Sequence, residues 1–345
     1  MTLARQERTA APAVAVPLSY QRPVDRALVH RSAVMEVFVT DATRLDEDTF
    51  AVAVQGPRSH SYYNDHPWSP EQLDPLFLLE AARQAVTVVA HQWMGVPHGT
   101  SFLISEWTTQ FTDVTAVRAG RDAPVEFAVD VTARELKRRG SRLLAATFEC
   151  AFVVGGHRVG TSTVSAGYLS GDGYRAHRVK SRGDVPPMSS SMGDERVGAL
   201  VDPAAVGRTR AANVVLVDAR ATPAGAEARL DVPVRHAALY DHPLDHVPAM
   251  ALLEAARQIS VLADDRAPRG LYPYRFEAVF HRFVELDSPV AVRARRDGRH
   301  TTVEFHQDGA ALCTATLGVA PVASLGAFGP AAPVEDSVSA TGAGR

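Results

Sequence analysis

The sequence predicts an α+β fold of two tandem units, each a curved antiparallel sheet wrapped on one long central helix, paired as a pseudo-dimer within a single chain. Three observations carry this. The heptapeptide Leu-Leu-Glu-Ala-Ala-Arg-Gln stands at 78–84 and again at 252–258, a repetition far beyond chance that marks internal duplication. An Asp-His-Pro precedes each copy, at 65–67 and 241–243. Around both copies the hydrophobic pattern gives one order: strand, long helix, then several strands.

In the first unit, alternating residues over 49–55 read as a strand, followed by a loop rich in His, Tyr, Asn and Pro. Asp74 as N-cap, with Pro75 at the first helical position, starts a helix that Gly95 stops. Strands follow at 101–111, 125–134, 143–154 and 159–168, with turns at Gly120, Arg139-Gly140 and Gly155-Gly156. The second unit repeats the plan: a strand at 228–234, the Asp241-His242-Pro243 loop, a helix over 248–265, then strands at 275–283, 289–295, 301–306 and 311–319. From Asp65 to Glu80 the chain is two residues longer than from Asp241 to Glu254, and a length difference confined to a loop is what a duplicated fold predicts. A long helix followed by antiparallel strands must bury itself against a curved sheet. That is the hot-dog arrangement, and the second copy is expected to cover the edge and helix that one copy leaves exposed.

The boundaries that follow are a flexible N-terminal segment over 1–27, a first domain over 28–170, a connector over 171–212, a second domain over 213–322 and a flexible tail over 323–345. The connector rests on Gly-Asp-Gly at 171–173, Pro186-Pro187 and the serines at 189–191. The 345 residues, 46% apolar and 22% charged, suffice for two cores. A net charge of −3 provides no global field for nucleic acid or an anionic membrane. No run is long enough to span a bilayer, and Pro12 and Pro17 interrupt the one short apolar run near Arg5 and Arg8 that hints at a secretory signal. Cys150 and Cys313 are too few for a disulfide framework and lack metal-ligand spacing, which suits a reducing cytoplasm without a metal or other cofactor.

On the first helix Glu80, Arg83, Gln84, Thr87 and His91 fall within an arc of about 100° on an otherwise apolar cylinder. The second helix keeps Glu254, Arg257 and Gln258, while Thr87 and His91 give way to Val261 and Asp265. Such a stripe is either a solvent face with a weak Glu–Arg pair or an enclosed polar seam, and retention of the same three residues favours the seam. Ahead of each helix, His66 and His242 lie in loops that can bring imidazole and carboxylate into one cleft, the equipment of acid/base catalysis.

These loops and helices resemble the dehydratase hot-dog pattern of His-x-Pro followed by Glu-Ala-x-x-Gln. With Val29-His30-Arg31, Glu36 to Thr40, Pro57 to His60, Ala90-His91, Val96 to Gly99 and Asp241 to Pro248, residues 28–320 are similar to the A-factor biosynthesis family of actinobacterial γ-butyrolactone and butenolide synthases. Ala249 stands where that family often has Gly. The resemblance implies an acyltransferase moving a β-ketoacyl group from acyl carrier protein to the hydroxyl of dihydroxyacetone phosphate, leading to a butenolide phosphate and a signalling molecule. It also implies that Glu80/Arg83 and Glu254/Arg257 are the functional pairs.

An alcohol attacking a thioester needs a general base, for which Glu80 or Glu254 is expected, with His66 and His242 as further catalytic candidates. Arg83 and Arg257, with Gln84 and Gln258, are expected to bind the phosphorylated substrate, since Arg meets phosphate with bidentate charge-assisted bonds. No Gly-x-Ser-x-Gly or Cys-His pair suggests a covalent acyl-enzyme. Basic turns at 134–142 and 293–299 offer a docking surface for an acidic carrier protein, Arg138 and Arg139 foremost. Alternatives are a hot-dog thioesterase or dehydratase, or a non-catalytic acyl- or lactone-binding regulator. Oligomerisation beyond the internal pseudo-dimer is left open.

Overall fold

A computed structural model describes residues 17–324 apart from 69–71, 115, 117, 119–121, 265 and 267–269. The expected turn at Gly120, the helix end at Asp265 and most of the two flexible ends lie outside the described residues. Twelve strands form one antiparallel sheet in the order β1-β2-β4-β5-β6-β3-β9-β12-β11-β10-β8-β7. In the first unit these are β1 (Val39–Arg44), β2 (Thr49–Gln55), β3 (Ser101–Phe111), β4 (Glu126–Arg139), β5 (Arg142–Val154) and β6 (His157–Leu169). In the second they are β7 (Leu216–Thr222), β8 (Gly225–Leu230), β9 (Leu271–Phe280), β10 (Ala291–Asp297), β11 (His300–Gln307) and β12 (Ala310–Pro321). The order is palindromic about the β3–β9 seam, where Glu106 faces Val279 and Gln110 faces Arg275. The duplication therefore folds as two hot-dogs joined edge to edge, each unit covering the sheet edge the other would expose.

Helix α1 (Pro75–Trp93) and helix α3 (Ala249–Leu262) are the central helices. Asp74 caps α1, its carboxylate accepting the Leu76 N–H at 2.8 Å. Both helices are buried around most of their circumference, the signature of a core helix rather than a surface one. Phe77 of α1 packs edge to face with Phe38, Tyr63 and Phe127, a geometry the ring quadrupoles favour. Among the described residues no helix is long and apolar enough to cross a membrane.

Two features depart from the expected elements. Edge strands β1 and β7 extend each sheet by one strand, and the second unit's strand expected at 228–234 is β8, which ends at Leu230. The connector opens with a third helix, α2 (Gly171–Arg182). Ser170 caps it by accepting the Gly173 N–H, and Gly183 ends it at φ 98° with its N–H on the Val179 carbonyl, a left-handed stop that favours glycine. Gly171 and Gly173 suggest a turn, but in a first helical turn, where N–H groups lack an intrahelical partner, the Ser170 cap takes up that of Gly173.

Candidate active site

Glu80 lies at the centre of the α1 stripe, fully buried. Arg83 grips it through two bonds, Nε to Oε2 and Nη2 to Oε1, both 2.7 Å. Arg31, following the short turn at Arg26–Val29, adds an Nη2–Oε1 contact of 2.5 Å. Gln84 donates to Oε1 at 2.6 Å. The same Gln84 accepts the Phe38 N–H and donates to the Glu36 carbonyl, stitching β1's approach to the helix. Burial alone would raise the Glu80 pKa, but Arg31 and Arg83 outweigh it and hold the carboxyl down at about 2.

The second unit repeats this bond for bond. Arg257 and Arg208 each bind Glu254 twice. Gln258 bonds Glu254, the Val215 N–H and the Asn213 carbonyl. Here the cluster is sealed: Arg208 also bonds Asp74 and the Tyr62 and Asp65 carbonyls, lies 4.4 Å from the Tyr62 ring centroid, and is fully buried. Burial opposes the charge on Glu254 too, and Arg208 with Arg257 keeps its pKa far below the carboxylate range.

The Asp-His-Pro loops cross between units. Asp241 accepts the Ser32 and Ala33 N–H groups at 2.5 and 3.0 Å, and Asp65 accepts those of Thr209 and Arg210 at 3.0 and 3.3 Å. Each loop thus serves the other unit's Arg-bearing segment. His242 therefore joins the cleft of α1, not that of its own Glu254, which corrects the expected pairing of each His with the Glu downstream. The cause is the edge-to-edge assembly, which faces each loop toward the opposite helix.

Among the described residues, the crossing at Asp241 is the one that opens onto the large cavity. That cavity, of about 1360 Å³, is lined by Arg31, Arg83 and Thr87, by β3, by Asp241 to Met250, by α2 and by Phe280 to Glu285. Arg83 keeps 17% of its side chain exposed there and Arg31 7%, against 1% for Arg257 and none for Arg208. His242 is 38% exposed, with Nδ1 3.3 Å from Asp241 Oδ2. His30, His246, Phe102, Ile104 and Leu239 complete a wall that is polar at the arginines and apolar beyond.

The expected residues thus part company. Arg83 and His242 line the cavity together. Glu80, Glu254, Gln84 and Gln258 are fully buried and lie off the cavity lining, where they anchor arginines and backbone. Arg31, Arg83 and Gln84 engage the Glu80 carboxylate, and Arg208, Arg257 and Gln258 that of Glu254, so the base role expected of Glu80 or Glu254 does not fit their surroundings. Arg257 is sealed with Glu254. His66 stacks on Trp68 at 4.4 Å and is not a cavity wall residue. Arg138 and Arg139 sit at the tip of the β4–β5 hairpin, away from the cavity, where Arg138 bonds the Ser141 carbonyl. Arg31, Arg208 and His30 escaped notice as site residues. Their signal was Val29-His30-Arg31 against Val206-Gly207-Arg208, the same Val-x-Arg in each copy.

Fold and cleft together define a double hot-dog protein with an open, arginine-floored pocket. The chain belongs to the A-factor biosynthesis hotdog domain family (AfsA), whose model matches residues 15–170 and 190–323. It is similar to a 2-oxo-3-(phosphooxy)propyl 3-oxoalkanoate synthase of Streptomyces virginiae, 34% identical over 305 residues that cover 86% of this chain and 97% of that one. A synthase of the same name from Streptomyces coelicolor is 34% identical over 302 residues, covering 86% and 91%. The dehydratase domain from the CurF module of curacin polyketide synthase aligns over 82% of this chain and 98% of its own, with 14% identity and a TM-score of 0.49, too loose a likeness to bear on the site.

Proposed function

We propose that this chain transfers a β-ketoacyl group from an acyl carrier protein thioester to the hydroxyl of dihydroxyacetone phosphate, yielding the ester that leads to a butenolide phosphate. The relatives' name describes that ester: a 3-oxoalkanoate joined to a 2-oxo-3-(phosphooxy)propyl group. The single observation that carries the reading is the cavity in which Arg83 and Arg31 face His242. The arginines bind the phosphate dianion, while Glu80 fixes their orientation and Gln84 fixes Glu80. Glu254, Arg257, Gln258 and Arg208 hold the pseudo-symmetric cleft shut, and His66 belongs to that half.

His242 is the acid of the cleft. Its Nδ1 stands 3.3 Å from Asp241 Oδ2, an orienting contact, and the ring donates to the thioester oxygen and protonates the departing thiolate. The apolar wall takes the acyl chain. Carrier-protein docking at Arg138 and Arg139 and cytoplasmic action complete the reading, with no cofactor. The test follows products by mass when purified protein meets a β-ketoacyl carrier protein with and without dihydroxyacetone phosphate. Ester formation dependent on the acceptor supports the transfer; thiol release indifferent to it assigns a thioesterase instead.

A further inference from the structure

We propose that His30 is the catalytic base of this cleft, its Nδ1 accepting the acceptor hydroxyl's proton, and that His91 is the residue that positions it. The inference rests on the acyl-transfer reading above. The tautomers follow from the partners. The Val96 carbonyl can only accept, so His91 Nδ1, 2.8 Å away, carries a proton. A neutral His91 then has a bare Nε2, which must accept from His30 Nε2 at 2.7 Å. A proton on His30 Nε2 leaves Nδ1 as the free lone pair of a ring that lines the cavity.

The backbone points the same way. His30 adopts the left-handed conformation at φ 53°, and its counterpart Gly207 does so at φ 68°. Glycine is the unstrained residue there, so the open cleft carries an imidazole at a backbone cost that the closed cleft avoids. Position fits too, because Arg83 Nη2 bonds the Val29 carbonyl, one residue away. The proposal places the acceptor's phosphate on Arg83 and Arg31 and its far hydroxyl toward His30, which lines the same cavity.

Burial first, then Arg83, with smaller contributions from His91, His242 and His98, hold His30 neutral, its pKa lowered to about 3. A phosphate dianion bound at Arg83 offsets the second of these causes and raises the His30 pKa, while the larger contribution of burial remains. As the hydroxyl oxygen bonds the thioester carbon, its proton passes to His30 Nδ1. The carbon–sulfur bond breaks and the thiolate takes a proton from His242. Solvent then carries the proton from His30 back to His242.

The test combines turnover with nitrogen-15 histidine spectra of the full chain. His30→Ala is expected to lower kcat by about 10²–10⁴-fold while calorimetric binding of dihydroxyacetone phosphate persists. His91→Phe, which keeps the ring but removes the acceptor, is expected to lower kcat with KM unchanged. In the wild type, His30 Nδ1 is expected to be unprotonated at neutral pH, and inorganic phosphate to raise its titration midpoint. Acceptor-dependent turnover that survives His30→Ala, or a protonated Nδ1, overturns this assignment alone. Acceptor-independent thiol release by the wild type overturns the transfer reading with it. Should His30→Ala fail to fold, His91→Phe and the spectra decide.

Discussion

Replacing Arg83 and, separately, Arg257 by Met tests whether the two halves have diverged into a working cleft and a closed one. The residues are duplicates, each gripping its Glu through two bonds. In the sealed half, Arg257→Met leaves Glu254 buried with Arg208 alone, and breaking a buried pair costs about 3–5 kcal/mol. At roughly 2–4 °C per kcal/mol, Tm falls by about 10 °C. In the open half, solvent reaches the site and Arg31 remains on Glu80, so the stability cost of Arg83→Met is smaller. Its loss falls on the phosphate, where a charge-assisted hydrogen bond is worth about 1.5–3 kcal/mol, or roughly 10–150-fold in KM for dihydroxyacetone phosphate. Calorimetric melting and initial rates over a range of acceptor concentrations measure both. Equal Tm losses with KM unmoved in both variants would refute the division.

Acid titration probes Glu80. Its folded pKa of about 2 lies below the ordinary 4.5, so its stabilisation is complete above 4.5 and is lost as pH falls between those values. The span is worth about 3 kcal/mol, and urea unfolding across that range should lose this slope in Glu80→Gln. His242→Gln should lower kcat by about 10²-fold or more with Tm nearly unchanged, because its side chain is 38% exposed; a rate equal to wild type removes it from the chemistry. Asp65→Asn should cost more stability than Asp241→Asn, since Asp65 also binds the Thr209 hydroxyl and Asn213. Asp241→Asn should act on turnover, and chemical denaturation beside steady-state kinetics separates the two.

Much of the fold was legible because the chain states it twice. Periodicity and caps located α1, α3 and most inner strands, since those elements bury one face and carry strong stops. Strand β1 has only one residue buried outright, Val39, and β7 bends through a bulge with Asp218 at φ 52°, so neither alternates clearly enough to be read. Helix α2 is mostly polar, with only Arg178 buried, and its Ala176 and Val179 are too few to give an apolar stripe. Arg178 earns its burial through contacts distant in sequence, with Asp245 and Glu285. The site was legible as residue types and not as partners. The Glu, Arg and Gln of each stripe stand out locally, whereas Arg31 and Arg208 reach them from far upstream and His242 from the other unit.

That crossing explains how one duplicated sequence can yield one working cleft. Each loop must clamp the opposite unit through its Asp, so both Asp-His-Pro motifs are held by assembly, whatever chemistry follows. What differs is the ground around the clamp. In one crossing Arg208 turns inward to Asp74 and two carbonyls, Tyr62 lies across it, and Gly207 supplies no side chain. In the other, Arg31 stops at Glu80, His30 replaces the glycine, and α2 roofs a cavity instead of filling it. The Glu and Gln of the triplet therefore serve both copies as scaffold, while the proposed chemistry draws on Arg31, Arg83 and His242, which have counterparts in the closed half, and on His30, which has none.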